Sequence, residues 1–208
     1  MERVDFKEIW PELIGLIPVY RDGKGNCTEI RLINRESIYS PVRTKTLLKR
    51  LAQFFTFDLK AARKRYSELC GRCYAIPIPL RPGFVLVPVH SRHARFKDDG
   101  TRAYLVKAKI ASFGRIPSGK GACGKEDTGM RTRLVFTDGS QLDIPHDTDG
   151  VRSLLLLAEK LEQEAGFPNI GDLPCRRPTP ERRHPSVSEC PPFDCIYRFW
   201  GPRRDDSE

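Results

Sequence analysis

Residues 41–73 read PVRTKTLLKRLAQFFTFDLKAARKRYSELCGRC. Pro41 can open a helix, because the N–H that proline lacks has no partner in a first turn. From Val42 the apolar positions Leu47, Leu48, Leu51, Ala52 and Phe55 recur at helical spacing. Phe54-Phe55-Thr56-Phe57 interrupts the pattern, and Thr56 or Asp58 is placed to cap a second helix that Gly71 ends. In that second helix Leu59, Ala62, Tyr66 and Leu69 form one stripe. The basic residues fall off both stripes. The stretch holds nine of them, Arg43, Lys45, Lys49, Arg50, Lys60, Arg63, Lys64, Arg65 and Arg72, against two acids, Asp58 and Glu68. Its net charge of +7 is most of the +9 carried by the whole chain. A positive field this concentrated, beside balanced flanks, points to a polyanion, because Lys and Arg displace the counterions condensed on phosphates.

Upstream, residues 1–14 place Val4, Phe6, Ile9, Trp10, Leu13 and Ile14 among acids and read as a short helix broken at Pro11, or an arm packed on the core. Residues 15–20 and 27–33 read as a hairpin joined by the polar turn at 21–26, and a short strand is expected at 37–39. Downstream, 74–90 is the clearest sheet element. Ile76 and Ile78 lead through Leu80-Arg81-Pro82-Gly83 to the apolar run Phe84–Val87, with Pro77, Pro79 and Pro88 confined to edges or strand ends. Residues 91–101 read as a polar loop, and 103–113 as one strand with Lys107 and Lys109 on a wet face. The Gly-rich segment 114–130 reads as a mobile loop. In 131–145, Asp138-Gly139 suits a tight hairpin turn. A helix follows to Gly166, with Val151, Leu154, Leu155, Ala158 and Leu161 on one face. The expected fold class is α+β: a mixed, mostly antiparallel sheet of hairpins packed with two basic helices and one C-terminal helix. The expected divisions are an N-terminal arm at 1–14, a domain at 15–168 and a disordered Pro/Arg/Cys-rich tail at 169–208 with a short docking patch at 193–200. No internal repeat is visible.

The 208 residues suffice for one good core rather than two full domains. No run approaches the ~20 apolar residues of a membrane helix, so no membrane is expected as a partner. The N-terminus has no apolar signal region, and a cytoplasmic location is expected. Seven unevenly spread cysteines then read as free thiols or metal ligands before disulfides.

The order of these pieces resembles the competence transcription factor (ComK-like) family of Gram-positive bacteria over roughly residues 15–165. The resemblance rests on the first turn at Asp22-Gly23-Lys24 and on Leu51–Phe55 followed by Ala61-Ala62-Arg63-Lys64. These last are similar to the family's Phe-Phe-Gly-Ser-Ser-Tyr-x-Gly-Arg-Lys segment. Pro77-Ile78 with Phe84–Pro88, and Val135-Phe136-Thr137-Asp138-Gly139 with Leu142 to Pro145, complete it. The chain departs from the family in having Thr56-Phe57-Asp58 where the family has Gly-Ser-Ser, and in its C-terminal tail. The resemblance implies a DNA-binding transcription factor, an activator in competence, that self-associates as a homo-oligomer on AT-rich double-stranded DNA and reads mostly the minor groove. An activator of this kind would also meet RNA polymerase.

Charge pattern and resemblance together select Lys45, Lys49, Arg50, Lys60, Arg63, Lys64, Arg65 and Arg72 as the DNA-binding residues, with Arg63, Lys64 and Arg65 foremost. The alternative is an RNA-binding protein using the same patch. Phe54, Phe55, Phe57 and Tyr66 read as core rather than base-stacking residues. Cys70-Gly71-Arg72-Cys73 has zinc-knuckle spacing. A tetrahedral site needs four ligands, and the only other close pair is Cys190 and Cys195, so packing is preferred and Cys70 and Cys73 remain the residues to check for metal. Gly114-Arg-Ile-Pro-Ser-Gly119-Lys120-Gly121 comes close to a P-loop but lacks the Ser or Thr after the lysine. His90, His93, His146 and His184 read as scattered loop residues. No catalytic constellation and no cofactor site is expected.

Overall fold

The computed structural model describes residues 4–23, 25–94, 96, 99–116 and 129–165, and the tail assigned to 169–208 lies outside them. In order the elements are α1 (Phe6–Ile9), β1 (Leu13–Arg21), β2 (Gly25–Leu32), β3 (Ile38–Ser40), α2 (Thr44–Phe54), α3 (Leu59–Cys70), β4 (Ile78–Arg81), β5 (Phe84–His90), β6 (Arg102–Val106), β7 (Ile110–Arg115), β8 (Thr132–Phe136), β9 (Gln141–Ile144) and α4 (Thr148–Glu164). A 3-10 turn, Trp10–Glu12, carries Pro11 between α1 and β1, so the first strand starts two residues before Gly15.

The strands make two sheets. Six pair in the order β3-β2-β1-β6-β5-β4 and three in the order β7-β8-β9. Every pairing is antiparallel, so the expected mixed single sheet is corrected on both counts among the described residues. The sheets separate within the stretch read as one strand at 103–113. There a 3-10 turn, Lys107–Lys109, ends β6 and starts β7 in the other sheet. The expected wet face is absent from β6, where Tyr104, Leu105 and Val106 are all buried. β6 lies inside the sheet with apolar layers on both sides, so its alternation disappears.

The larger sheet separates two cores. On one face Leu16, Ile30, Leu86 and Tyr104 meet α1 and the Leu47, Leu48, Leu51 and Ala52 side of α2. On the other, Ile14, Val85, Val87 and Leu105 meet Leu134, Phe136 and Ile144 of the smaller sheet and Val151, Leu154 and Ala158 of α4. Gly15 is required where β1 crosses β6, since a Cβ there would stand 2.8 Å from the Tyr104 carbonyl oxygen. Proline inside sheet strands is accommodated by strand length. β6 pairs with β1 only at Gly15 and Leu16, so Pro18 lies beyond it, and β4 reaches along β5 no further than Leu86, short of Pro88.

The two helices of the basic stretch are joined by a short link that closes one with backbone hydrogen bonds and caps the other with a side chain. The Thr56 and Phe57 N–H groups donate to the Gln53 and Ala52 carbonyls, which closes α2. Thr56 stands at φ 53, a conformation that costs a β-branched residue about 1–2 kcal/mol. This is the position at which the resembled family has glycine. Asp58 then caps α3 by accepting from the Lys60 and Ala61 N–H groups at 2.7 and 3.1 Å. Gly71, at φ 61, ends it. α3 is held lightly. Tyr66 is its one buried residue, packed with Ile76 and Leu161, while Leu69 of the expected stripe is exposed.

An internal repeat is present after all. Thr28, Glu29 and Ile30 pair with Ser40, Tyr39 and Ile38, and Thr132, Arg133 and Leu134 pair with Ile144, Asp143 and Leu142. The same spacing continues into the helices. The Thr28 hydroxyl donates to the Val42 carbonyl at 2.7 Å and sits 2.9 Å from Thr44 Oγ1. Thr132 donates to the His146 carbonyl at 2.6 Å and sits 3.1 Å from Thr148 Oγ1. Each strand threonine spends its one hydrogen on the carbonyl, so the helix threonine donates to it. Two strands and the helix behind them are thus built twice, around α2 and around α4, with Pro41 and Pro145 at matching places. Among the described residues no helix is long and apolar enough to cross a membrane.

Candidate nucleic-acid interface

All eight selected cations are exposed. None of them takes part in an ion pair with a described carboxylate; the pairs present are Arg31–Glu29, Arg35–Glu12, Lys107–Glu162, Arg133–Asp143 and Arg152–Asp149. They do not form one patch. Successive helical residues are about 100° apart, so Lys45 and Lys49 share a flank of α2 while Arg50 stands about 140° round from Lys45. Arg50 lines a separate hollow of ≈ 660 Å³ together with Asp5 and Glu8. On α3, Lys60, Arg63 and Lys64 make one ridge, and Arg65 turns away from it, its guanidinium 5.9 Å from the Tyr66 ring centre. Arg72 lies past the helix end.

Lys45 and Arg63 come from different helices and meet at one groove of ≈ 330 Å³. Arg102, at the start of β6, is the third cation on its rim, and Tyr74 and Cys73 also line it. Its base is apolar, formed by the buried residues Ile78, Pro88 and Tyr104. The beginning of α2 adds to the field. Arg43 at the cap makes no side-chain hydrogen bond and the first turn holds no acid. At the matching place in the repeat, Asp147 accepts from the Gly150 N–H at 3.0 Å, and Asp149 follows. The positive end of one helix is therefore neutralised by its own sequence and the other is left with cations beside it.

Sequence reasoning missed Arg102 and Tyr74. Arg102 bordered a loop and only strand pairing carries it to the helices. Tyr74 directly follows the basic stretch, which was its one sequence signal. The aromatics of the basic stretch pack inward for the most part. Tyr66 is buried, Phe55 and Phe57 are half-buried, and Phe54 is 40% exposed with its ring 4.9 Å from that of Phe55.

Cys70 packs on the Tyr66, Ile76 and Leu161 cluster. Burial pushes its thiol up, against the opposing pull of Arg72 and Lys160. Among the described residues no three His, Cys, Asp or Glu side chains are placed to hold a metal ion. Gly114 and Arg115 belong to β7, so the segment read as a loop starts later; 117–128, with most of the P-loop-like run, lies outside the described residues.

The histidines are less scattered than the sequence implied. The His90 N–H donates to His146 Nδ1 at 3.3 Å, and the His90 and His93 rings lie 5.9 Å apart. Burial, then His93, His146 and Arg102, hold His90 below the usual imidazole range. Burial also lowers His146, with Asp147 opposing. On acidification the unfolded chain takes up these protons first. Stability is therefore full above about pH 6.5 and declines as pH falls through the lowered folded values. Thermal melts should give a constant Tm above about pH 7 and a falling one toward pH 5. His146→Asn, which keeps an acceptor for the His90 amide but cannot titrate, should flatten that decline; an unchanged profile would remove the histidines as its cause.

Comparison with protein-family models, with curated proteins and with solved structures returns no match.

Proposed function

We propose that this chain is a DNA-binding transcription regulator, an activator of the competence-factor type, acting in the cytoplasm as a homo-oligomer on AT-rich duplexes. The observation that carries the proposal is the meeting of Lys45 with Arg63, which shares a ridge with Lys60 and Lys64, beside a helix start without a side-chain cap; all four cations are exposed and none is paired with a described carboxylate. Solvated helix faces are ordinarily laced with acids three or four residues away, and this ridge has one such acid, Glu68, four residues past Lys64 and in no ion pair with it. Unpaired cations lose little on meeting phosphates and gain the release of condensed counterions. Arginine in addition suits the narrow, electronegative minor groove of AT-rich DNA. The family resemblance supplies the self-association and the activator role.

Selection of bound duplexes from a random pool, with the stoichiometry of the complex measured alongside, tests the reading. The selected duplexes should be AT-rich and bound by more than one chain. Affinity for them at matched salt should exceed that for single strands and structured RNA. Four phosphate contacts predict a slope of log K against log salt near about −3.6. Tighter binding to structured RNA would transfer the surface to RNA, and salt-independent binding would end both readings.

A further inference from the structure

The cationic groove has an aromatic side chain that phosphate contact alone does not need. Tyr74 is 76% exposed, more than any other large apolar residue in the described structure. It stands on the groove that Lys45, Arg63 and Arg102 surround.

Its exposure is built in. Along an extended chain, side chains two apart share a side, so Tyr74 would follow Ile76 and Ile78 inward. Both of those are buried, at 8% and 3% exposure. Ala75 breaks the alternation by adopting φ 54, a left-handed conformation that an alanine rarely takes. Burial of Ile76 on one side and the end of α3 on the other hold it there. The result is a flat, solvated ring beside an apolar base, with positive charge on the rim. Its volume falls at the low end of pockets that accept small molecules, about 300–1,000 Å³.

That combination fits one chemistry. A planar, weakly polar ring would lie on Tyr74 and the apolar base while a linked phosphate meets the cations; a phosphate alone would leave the aromatic and the base unused. We infer that Tyr74 stacks on a nucleobase exposed from its neighbours, with Lys45, Arg63 and Arg102 holding the adjoining phosphates. This deepens the DNA-binding reading and rests on it. The exposed base has two possible sources, a single strand or a flexible pyrimidine–purine step opened in a duplex.

The test uses the full chain with Tyr74→Ala and Tyr74→Phe. The probes are an oligothymidine strand, an AT-rich duplex containing TA steps, and the same duplex with those steps removed. Stacking predicts that Tyr74→Ala weakens the favoured probe roughly 5- to 150-fold, while Tyr74→Phe stays near wild type. The salt slope should not change, because no charge is lost. Loss on oligothymidine alone assigns the base to a single strand. Loss on the TA duplex, with disappearance of the permanganate reactivity that marks an unstacked thymine, assigns it to an opened step. If the charge variants lose binding while Tyr74→Ala binds every probe as wild type does, the stacking role falls and the DNA-binding reading survives. If the wild type binds no DNA, both fall.

Discussion

Replacing Lys60, Arg63 and Lys64 together by glutamine should lower duplex affinity about 80-fold at 200 mM salt and about 3,000-fold at 50 mM. These figures treat each residue as one phosphate contact that releases 0.9 counterion and contributes nothing else. The more decisive reading is the slope of log K against log salt, which should flatten by about 2.7. Folding should be unaffected. The three side chains are exposed, are in no ion pair with a described carboxylate, and glutamine is as good a helix former as lysine or arginine. Arg65→Gln and Arg50→Gln serve as contrasts, since each removes one charge from another flank and should change the slope by far less than the about 0.9 expected for each ridge residue. A slope unchanged in the triple variant would take the α3 ridge out of the interface, and equal losses per charge removed in all these variants would mean that net charge rather than the position of the cations governs binding.

Phe136→Ala should destabilise the fold by about 3–5 kcal/mol, a large part of the about 5–15 kcal/mol that a domain typically has in hand. Phe136 is 1% exposed and packs where the smaller sheet meets both the larger sheet and α4. Little there can collapse into the space, because its neighbours sit on three separate elements. Urea titration should show a lower midpoint with an unchanged m-value. Leu156→Ala on the exposed side of α4, where the residue is 61% accessible, should have almost no effect. A Phe136→Ala midpoint within error of wild type would mean that the two sheets do not share a core. α3 rests on α4 through Tyr66 and Leu161, so this variant should lose DNA affinity only in proportion to its unfolded fraction.

Local sequence determined what local physics controls. The stripe Leu47, Leu48, Leu51 and Ala52, the Asp58 cap, the Gly71 stop, the turn at Asp138-Gly139 and the buried side of α4 are all set by neighbours a few residues away. The break between β6 and β7 was illegible. The 3-10 turn at Lys107–Lys109 contains neither Gly nor Pro, and a strand covered on both faces shows no alternation to interrupt. The repeat is illegible in the sequence because its two copies share register and threonine hydrogen bonds while few residue types coincide. Charge composition marked the basic stretch but could not divide it, since Arg50 and Arg65 read the same as Lys45 and Arg63 until the helices are docked. Which cations meet, and that Arg102 and Tyr74 join them, was decided by strand pairing and helix packing. Those contacts span tens of residues of chain, and their geometry is fixed only once both cores have closed around the central sheet.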